Sequence, residues 1–435
     1  MSLNYPSRHI LSIAVVLIVC FATLGAVIWG TPHPSLGTIG YGFFRSDLER
    51  DNSPDVSQEN LAALVDGNSG FALDLYQELR DTDSNLFFSP YSISLALAMT
   101  YAGAEGDTAQ QMADALNFTL PQEQLHPAFN ALDLALTSQS DNENFKFNIA
   151  NSLWGQTGFN FENEFLDTLA LNYGAGMRLL NFQQDPEAAR ITINDWVSEQ
   201  TENKINDLIP QGAIDPLTAL VLTNAIYFKA SWEHAFPKDL TEDDTFTLLD
   251  NTQATVPMMS WSEGKIIHYA EGDGYQAVEL PYKGTSMSML ILLPALDRFE
   301  EFENALTAER VNEMVESLRN QDVIVKMPKF RFEASLGLAD TLAGMGMPLA
   351  FTDQADFSGI TTDRSLYISE VLHKAFISVD ENGTEAAAAT AVVMTMSAFP
   401  TQPITVSIDH PFIFLIRDTN TGAVLFLGRV LDPTS

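Results

Sequence analysis

The stretch from Glu381 to Met396 reads E-N-G-T-E-A-A-A-A-T-A-V-V-M-T-M, and after Glu385 it holds no charge, no proline and no glycine. A strand that enters the middle of a sheet needs every backbone N–H free to pair and small side chains on the face it buries. This run meets both conditions. Taking alternate residues from Thr384 puts Thr384, Ala386, Ala388, Thr390, Val392 and Met394 on one face, none of which would bury a charge. On local propensity the alanines favour helix. Gly383 supplies a backbone pivot ahead of them, and Thr390, Val392, Val393 and Thr395 turn the second half toward strand. Both conformations are within reach of one segment, which Pro400 and Pro403 then connect to a further apolar strand.

Helix periodicity dominates the first part of the chain. Leu61 to Arg80 places Leu61, Leu64, Val65, Phe71, Leu75 and Leu79 at helical intervals, interrupted by Gly67 and Gly70. Asp185 to Leu208 opens with D-P-E-A, a helix start, and turns Ile191, Ile193, Trp196 and Val197 inward. The second half is strand-rich: 276–293, 323–332, 366–379 and 404–416 are β-branched or aromatic runs separated by turns such as K-G-T and D-T-N-T-G. No repeat and no linker interrupts residues 60 to 432, so an α+β fold in one large domain is expected, here bounded at 57–435.

The amino terminus is different in kind. Ile10 to Trp29 is 20 residues without a charge, enough at about 1.5 Å per residue to span a hydrocarbon layer of roughly 30 Å. It reads as a transmembrane anchor or uncleaved signal, because V-I-W-G-T-P fits a cleavage site poorly. Arg8 before it, with no further charge until Arg45, orients residues 1–9 to the cytoplasm and the main domain outside. The one cysteine, Cys20, lies within that segment, which leaves the exported part without a disulfide. Residues 30–56, with Pro32, Pro34, Gly37, Gly40, Gly42 and Pro54, read as a flexible stalk.

With 57 acidic against 22 basic residues the net charge is −35, a surface that repels nucleic acid and heparin-like polyanions. Catalytic signatures are missing. Gly67 to Gly70 reads G-N-S-G, similar to a chymotrypsin-like motif, but it lies inside the first helical run with only His9 and His33 before it. The seven histidines, His9, His33, His126, His234, His268, His373 and His410, lack the close spacing of a metal site. Neither an enzyme nor a bound metal or cofactor is expected.

Several motifs together resemble the serpins. They are N-L-F-F-S-P-Y-S-I-S-L-A-L-A-M from Asn85 to Met99, L-T-N-A-I-Y-F-K-A-S-W-E from Leu222 to Glu233, V-P-M-M from Val256, L-H-K-A from Leu372 and D-H-P-F-I-F-L-I from Asp409, in the family's order over roughly residues 57 to 432. The resemblance implies three β-sheets with eight or nine helices and an exposed reactive-centre loop. It further implies a suicide-substrate inhibitor, most simply a monomer, that a serine protease cleaves and is then trapped on as an acyl-enzyme, while the loop enters the main sheet as a strand. A non-inhibitory chaperone or carrier is the alternative.

On that resemblance Glu381, Gly383, Thr384, Glu385, Ala386, Ala387, Ala388 and Ala389 match the hinge of the loop. Ser89, Ser92, Asn224 and His373 match the polar cluster (the shutter) beneath the strands that part, and Trp232 the tryptophan of the breach above them. The scissile bond falls at Ser397–Ala398, or at Met396–Ser397 if the loop is one residue shorter. No lysine or arginine occurs between Lys374 and Arg417, so trypsin-like enzymes, whose pocket needs a cation, are excluded. Elastase-, chymotrypsin- or subtilisin-like serine proteases are the expected targets, with a papain-like cysteine protease as a lesser one. Asn382-Gly383-Thr384 is also a glycosylation sequon, as is Asn117-Phe118-Thr119, and a glycan in the hinge would hinder its entry.

Overall fold

The computed structural model describes residues 42–80, 84–140, 144–362, 366–384 and 402–435. The apolar segment 10–29, hinge residues Glu385 to Ala389 and both candidate scissile bonds at Met396, Ser397 and Ala398 lie outside them. No described helix is long and apolar enough to cross a membrane.

The described strands form two hydrogen-bonded systems. The first runs β1 (Gly42–Phe44), β4 (Met177–Leu180), β3 (Phe145–Gln156), β5 (Leu220–Ser231), β14 (Gly383–Thr384), β13 (Glu370–Asp380), β12 (Phe330–Gly337). The second runs β2 (Leu86–Phe88), β17 (Val424–Val430), β16 (Phe412–Asp418), β10 (Met287–Pro294), β9 (Tyr275–Pro281), β8 (Lys265–Gly272), β11 (Arg319–Pro328), β7 (Gln253–Ser260), β6 (Glu242–Thr247), with β15 (Ile404–Ser407) beside β11. Within this system β11 is a seam. Its first half pairs with β8, its last residues with β7, and Val323 to Lys326 with β15 in parallel. The second and third sheets of the expected fold are therefore continuous through one strand.

Nine α-helices are found among the described residues: α1 (Gln58–Leu79), α2 (Pro90–Tyr101), α3 (Gly106–Ala115), α4 (Gln122–Thr137), α5 (Asn163–Tyr173), α6 (Pro186–Gln200), α7 (Phe299–Asn304), α8 (Ala308–Ser317) and α9 (Ala339–Gly344). Local chemistry explains where they start. Ser57 accepts from the Asn60 N–H and Ser89 from that of Ser92, and Asp185 caps α6 through Ala188, with Pro90 and Pro186 in the first turns of α2 and α6. Gly67 does not break α1. A Cβ at that position would lie 2.3 Å from the Asn117 carbonyl oxygen, so the glycine is there for close approach. The helix expected to reach Leu208 stops at Gln200, where Glu202, Asn203 and Asp207 take left-handed backbone and the Thr201 hydroxyl receives the Ile205 N–H.

One boundary changes. The stalk expected over 30–56 ends earlier, because the described residues from Gly42 onward are part of the folded unit. β1 pairs with the edge strand β4, the Asp51 N–H donates to the Leu171 carbonyl, and Arg50 donates to Asn130 Oδ1 and Asp133 Oδ2 of α4, each at 2.7 Å. Backbone pairing and a partly buried guanidinium hold residues 42–51 to the body.

A buried charge cluster ties β17 to α1 and α7. Arg429 on β17, 3% exposed, donates to Glu303 Oε1 at 2.8 Å and to the carbonyls of Arg80 and Ser84, while Tyr76 of α1 donates to the same carboxylate oxygen at 2.5 Å. Removing Arg429 leaves the buried Glu303 carboxylate with only the Arg80 guanidinium, 3.8 Å from its other oxygen, as a cationic partner. Replacing Arg429 with methionine is expected to cost about 3 kcal/mol or more, read as a lower urea midpoint against the wild-type chain.

Candidate functional site

The centre of the first system is an unusual junction. β5 and β13 run parallel and pair directly from Glu370↔Val221 to Ala375↔Ile226. Above this they diverge. Asp380 turns through Glu381 and Asn382, and Gly383–Thr384 comes back as β14, antiparallel to both neighbours, with Gly383 opposite Ser231 and Asp380, and Thr384 opposite Ala230 and Val379. Gly383 and Thr384 therefore already occupy a strand position at one end of the β5–β13 seam.

Gly383 is required there for steric reasons. A Cβ on it would sit 2.0 Å from the Ala230 carbonyl oxygen. Thr384 is 2% exposed, and its Oγ1 lies 2.7 Å from the hydroxyl of Tyr282, which is itself fully buried. Burial holds the Tyr282 phenol well above its ordinary pKa, so it stays a neutral hydrogen-bonding partner.

Trp232 organises the space above. Its ring stacks on Tyr282 with centroids 4.6 Å apart, its indole N–H donates to the Asp380 carbonyl at 3.0 Å, and its backbone N–H donates to the Asn382 carbonyl at 2.8 Å. Glu381, in the turn, is 5% exposed and receives Lys329 Nζ at 3.0 Å and the Thr241 hydroxyl at 2.8 Å, while the Phe236 N–H donates to its carbonyl. Burial alone would raise its pKa, but hydrogen bonds from Lys329, its own backbone and Thr241 outweigh that and hold it below the usual carboxylate range.

Beneath the direct β5–β13 pairing lies a polar chain in an otherwise apolar core. The Ser89 N–H donates to His373 Nε2 at 3.2 Å, so Nδ1 carries the proton and donates to Asn224 Oδ1. Asn224 Nδ2 donates to Ser92 Oγ at 2.6 Å and to Asn151 Oδ1 at 2.7 Å, and Asn151 returns a bond to the Ser92 carbonyl. Ser89 Oγ donates to the Leu425 carbonyl and caps α2 through Ser92. The four residues expected as a cluster, Ser89, Ser92, Asn224 and His373, meet in one network spanning α2, β5 and β13.

Sequence reading missed Asn151, which extends that network onto β3, and missed Tyr282, Lys329 and Thr241 at the hinge. Asn151 had a signal: an asparagine inside I-A-N-S-L-W is a polar group in a strand with an apolar face. The other three are brought in by tertiary pairing alone. Among the described residues no group of histidine, cysteine, aspartate and glutamate side chains is arranged to hold a metal.

His373 gives this network a pH signature. Burial lowers its pKa to about 3, against an ordinary value of 6.5, so the native state keeps it neutral while the unfolded chain protonates it. Its contribution to stability is complete above pH 6.5 and is lost as pH falls toward 3, with a slope of up to about 1.4 kcal/mol per pH unit. His126, lowered by burial to about 4, adds to the same window. Chemical-denaturation midpoints measured from pH 7 to 4 should fall less steeply for His373→Gln than for wild type, while His126 and the carboxylates held low, Glu279 and Glu381 among them, keep the remaining slope.

Comparison with known proteins agrees with this geometry. The family model for serpins, serine protease inhibitors, matches residues 66–433. An uncharacterized serpin-like protein of Thermococcus kodakarensis is 43% identical over 373 residues, covering 85% of this chain and 86% of its own. Leukocyte elastase inhibitor A of Rattus norvegicus is 40% identical over 381 residues, covering 85% and 99%. Among solved structures, the thermophilic serpin tengpin in its native state superposes with a TM-score of 0.79 at 32% identity, covering 88% of this chain and 97% of that one. The α+β architecture, the seated two-residue strand and these similarities have one common account: the chain belongs to the serpin family.

Proposed function

We propose that this serpin is a suicide-substrate inhibitor of serine proteases with elastase-, chymotrypsin- or subtilisin-like specificity. One observation carries the reading. Gly383 and Thr384 already sit between β5 and β13, and the residues that follow them in sequence carry the small, uncharged side chains needed to continue along that seam. Loop insertion is the known working mode of inhibitory serpins.

In this reading the protease nucleophile attacks the carbonyl of Met396 or Ser397, the peptide bond to Ser397 or Ala398 breaks with the new amino terminus leaving protonated, and the protease remains as an ester of the residue before the cut. The hinge, Glu381 and Gly383 through Ala389, then continues downward from Thr384. The parallel pairs from Glu370–Val221 to Ala375–Ile226 separate, and each strand gains an antiparallel partner. Adding about 15 residues at 3.3 Å each carries the attached protease roughly 50 Å, and each new backbone bond contributes about 0.5–1.5 kcal/mol. The Ser89–His373–Asn224–Ser92 network is what the parting strands must release, and Trp232 with Tyr282 keeps their upper ends positioned around Thr384.

The absence of Lys and Arg between Lys374 and Arg417 directs specificity away from trypsin-like enzymes; a papain-like cysteine protease is a secondary target of the same loop. We further infer an extracytoplasmic monomer, tethered through residues 10–29 or carrying them as an uncleaved signal, and the acidic surface disfavours polyanionic cofactors.

Incubation with an elastase or subtilisin should give a complex stable to SDS and boiling at the summed mass of the two proteins. Cleavage of the loop without that band would support a carrier or chaperone role instead, and fast inhibition of a trypsin-like enzyme alone would refute the specificity. Thr384→Arg should shift the outcome from complex to cleaved inhibitor by at least tenfold, because a cation would have to be buried beside Tyr282. Undiminished complex formation by that variant would count against insertion from this point.

A further inference from the structure

The turn that seats the hinge contains an asparagine followed by a glycine, Asn382-Gly383, in a chemically exposed setting. Among the described residues the Asn382 backbone is held at both ends, its N–H donating to Asp380 Oδ1 at 2.7 Å and its carbonyl accepting from Trp232, but no hydrogen bond anchors its side-chain amide. That side chain is half-buried and faces a shallow cavity which it shares with Trp232, Glu233 and Lys283. Water therefore has access to a free amide, and the next residue has no side chain to shield its own backbone nitrogen.

We propose that Asn382-Gly383 is a site of spontaneous intramolecular deamidation whose rate is governed by whether the hinge is seated in the sheet. The Gly383 backbone nitrogen attacks Asn382 Cγ. A C–N bond forms, the bond from Cγ to the amide nitrogen breaks, and that nitrogen leaves as ammonia with the proton released from the Gly383 N–H. The resulting succinimide then takes up one water at either carbonyl, opening to aspartate or to isoaspartate. No oxidant, metal or enzyme is needed.

Attack requires the 382–383 backbone to rotate until the nitrogen faces the side-chain carbon. In the seated hinge that rotation is blocked. Gly383 is clamped between Ser231 and Asp380, with the Ala230 carbonyl where any Cβ would be, and Trp232 fixes the preceding carbonyl. Once β14 leaves the sheet these restraints are gone, and the dipeptide has the freedom of an open chain. The modification accumulates only in molecules whose hinge has come out.

The products change the seat itself. Aspartate at 382 puts a third carboxylate next to Asp380 and Glu381, with Glu233 across the cavity and Lys283 the nearest lining cation. Isoaspartate lengthens the main chain of the two-residue turn by one carbon, so Gly383 and Thr384 no longer keep register with both Ser231–Ala230 and Asp380–Val379. The deamidation chemistry stands on the turn alone; its consequence for inhibition rests on the function proposed above.

The test follows isoaspartate at residue 382 by mass spectrometry of the tryptic peptide 375–417, after incubation of the full-length chain at mildly alkaline pH. A free peptide of residues 380–389 serves as the unrestrained reference, and Thr384→Arg as a chain with its hinge displaced. The wild-type rate should be at least tenfold below that of the free peptide, with Thr384→Arg moving most of the way to the peptide value. Equal rates in wild-type chain and peptide, or a folded Thr384→Arg variant no faster than wild type, would overturn the proposal, as would an unchanged Asn382 in all three. Because no target protease is present during the incubation and trypsin serves only to cut the aged chain for mass spectrometry, the outcome is independent of whether the chain inhibits one. A separate arm assays aged protein, in which the fraction forming SDS-stable complex should fall in step with isoaspartate content.

Discussion

Six consecutive parallel pairs between β5 and β13 hold the two halves of the first sheet together below the hinge, and much of the molecule is arranged around them. Parallel pairing is slightly weaker per residue than antiparallel pairing, and its evenly slanted bonds do not force the strands to stay neighbours. In the insertion proposed above, a strand running the other way would replace this pairing. The seated pair Gly383–Thr384 shows the replacement geometry at its smallest, two residues long, with both neighbours satisfied.

The interactions around that seam divide by chemistry. Below, the chain from Ser89 through His373 and Asn224 to Ser92 and Asn151 is neutral, with its tautomer set by a backbone donor, and it ties three strands and a helix without placing a charge in the core. Above, the restraint is partly ionic, since Glu381 is kept charged by Lys329 and Thr241 at the turn. A neutral network is sensitive to the exact placement of donors and acceptors. A charged one tolerates displacement better, because its attraction falls off more slowly with distance.

Much of this was legible in the residues because it depends on local rules. Asp185 with the proline after it marks a helix start, Gly383 marks a backbone pivot, and the alternation from Thr384 gives a face free of charge. The shutter residues and Trp232 came from the family resemblance, which specifies partners that no periodicity supplies. What escaped depends on approach from far along the chain. Asn117 pressing on Gly67 makes a helix-breaking residue necessary within α1, Arg50 finding Asp133 turns a supposed stalk into part of the body, and Tyr282 reaches Thr384 from 102 positions away. Local composition carries no record of such meetings. The early stop of the sixth helix is intermediate, since Asn203 and Asp207 tolerate left-handed backbone but do not require it.

The two sides of the segment between β14 and β15 are moored unequally. On one side two residues sit in a ladder bounded by glycine and a single buried hydroxyl contact; on the other, Ile404 to Ser407 lie along β11, the strand that also stitches β7 to β8. A tug applied midway would unzip the lighter mooring first, since freeing the heavier one means disturbing the seam of a ten-stranded system. The asymmetry makes the β14 attachment the one the fold can give up at lower cost.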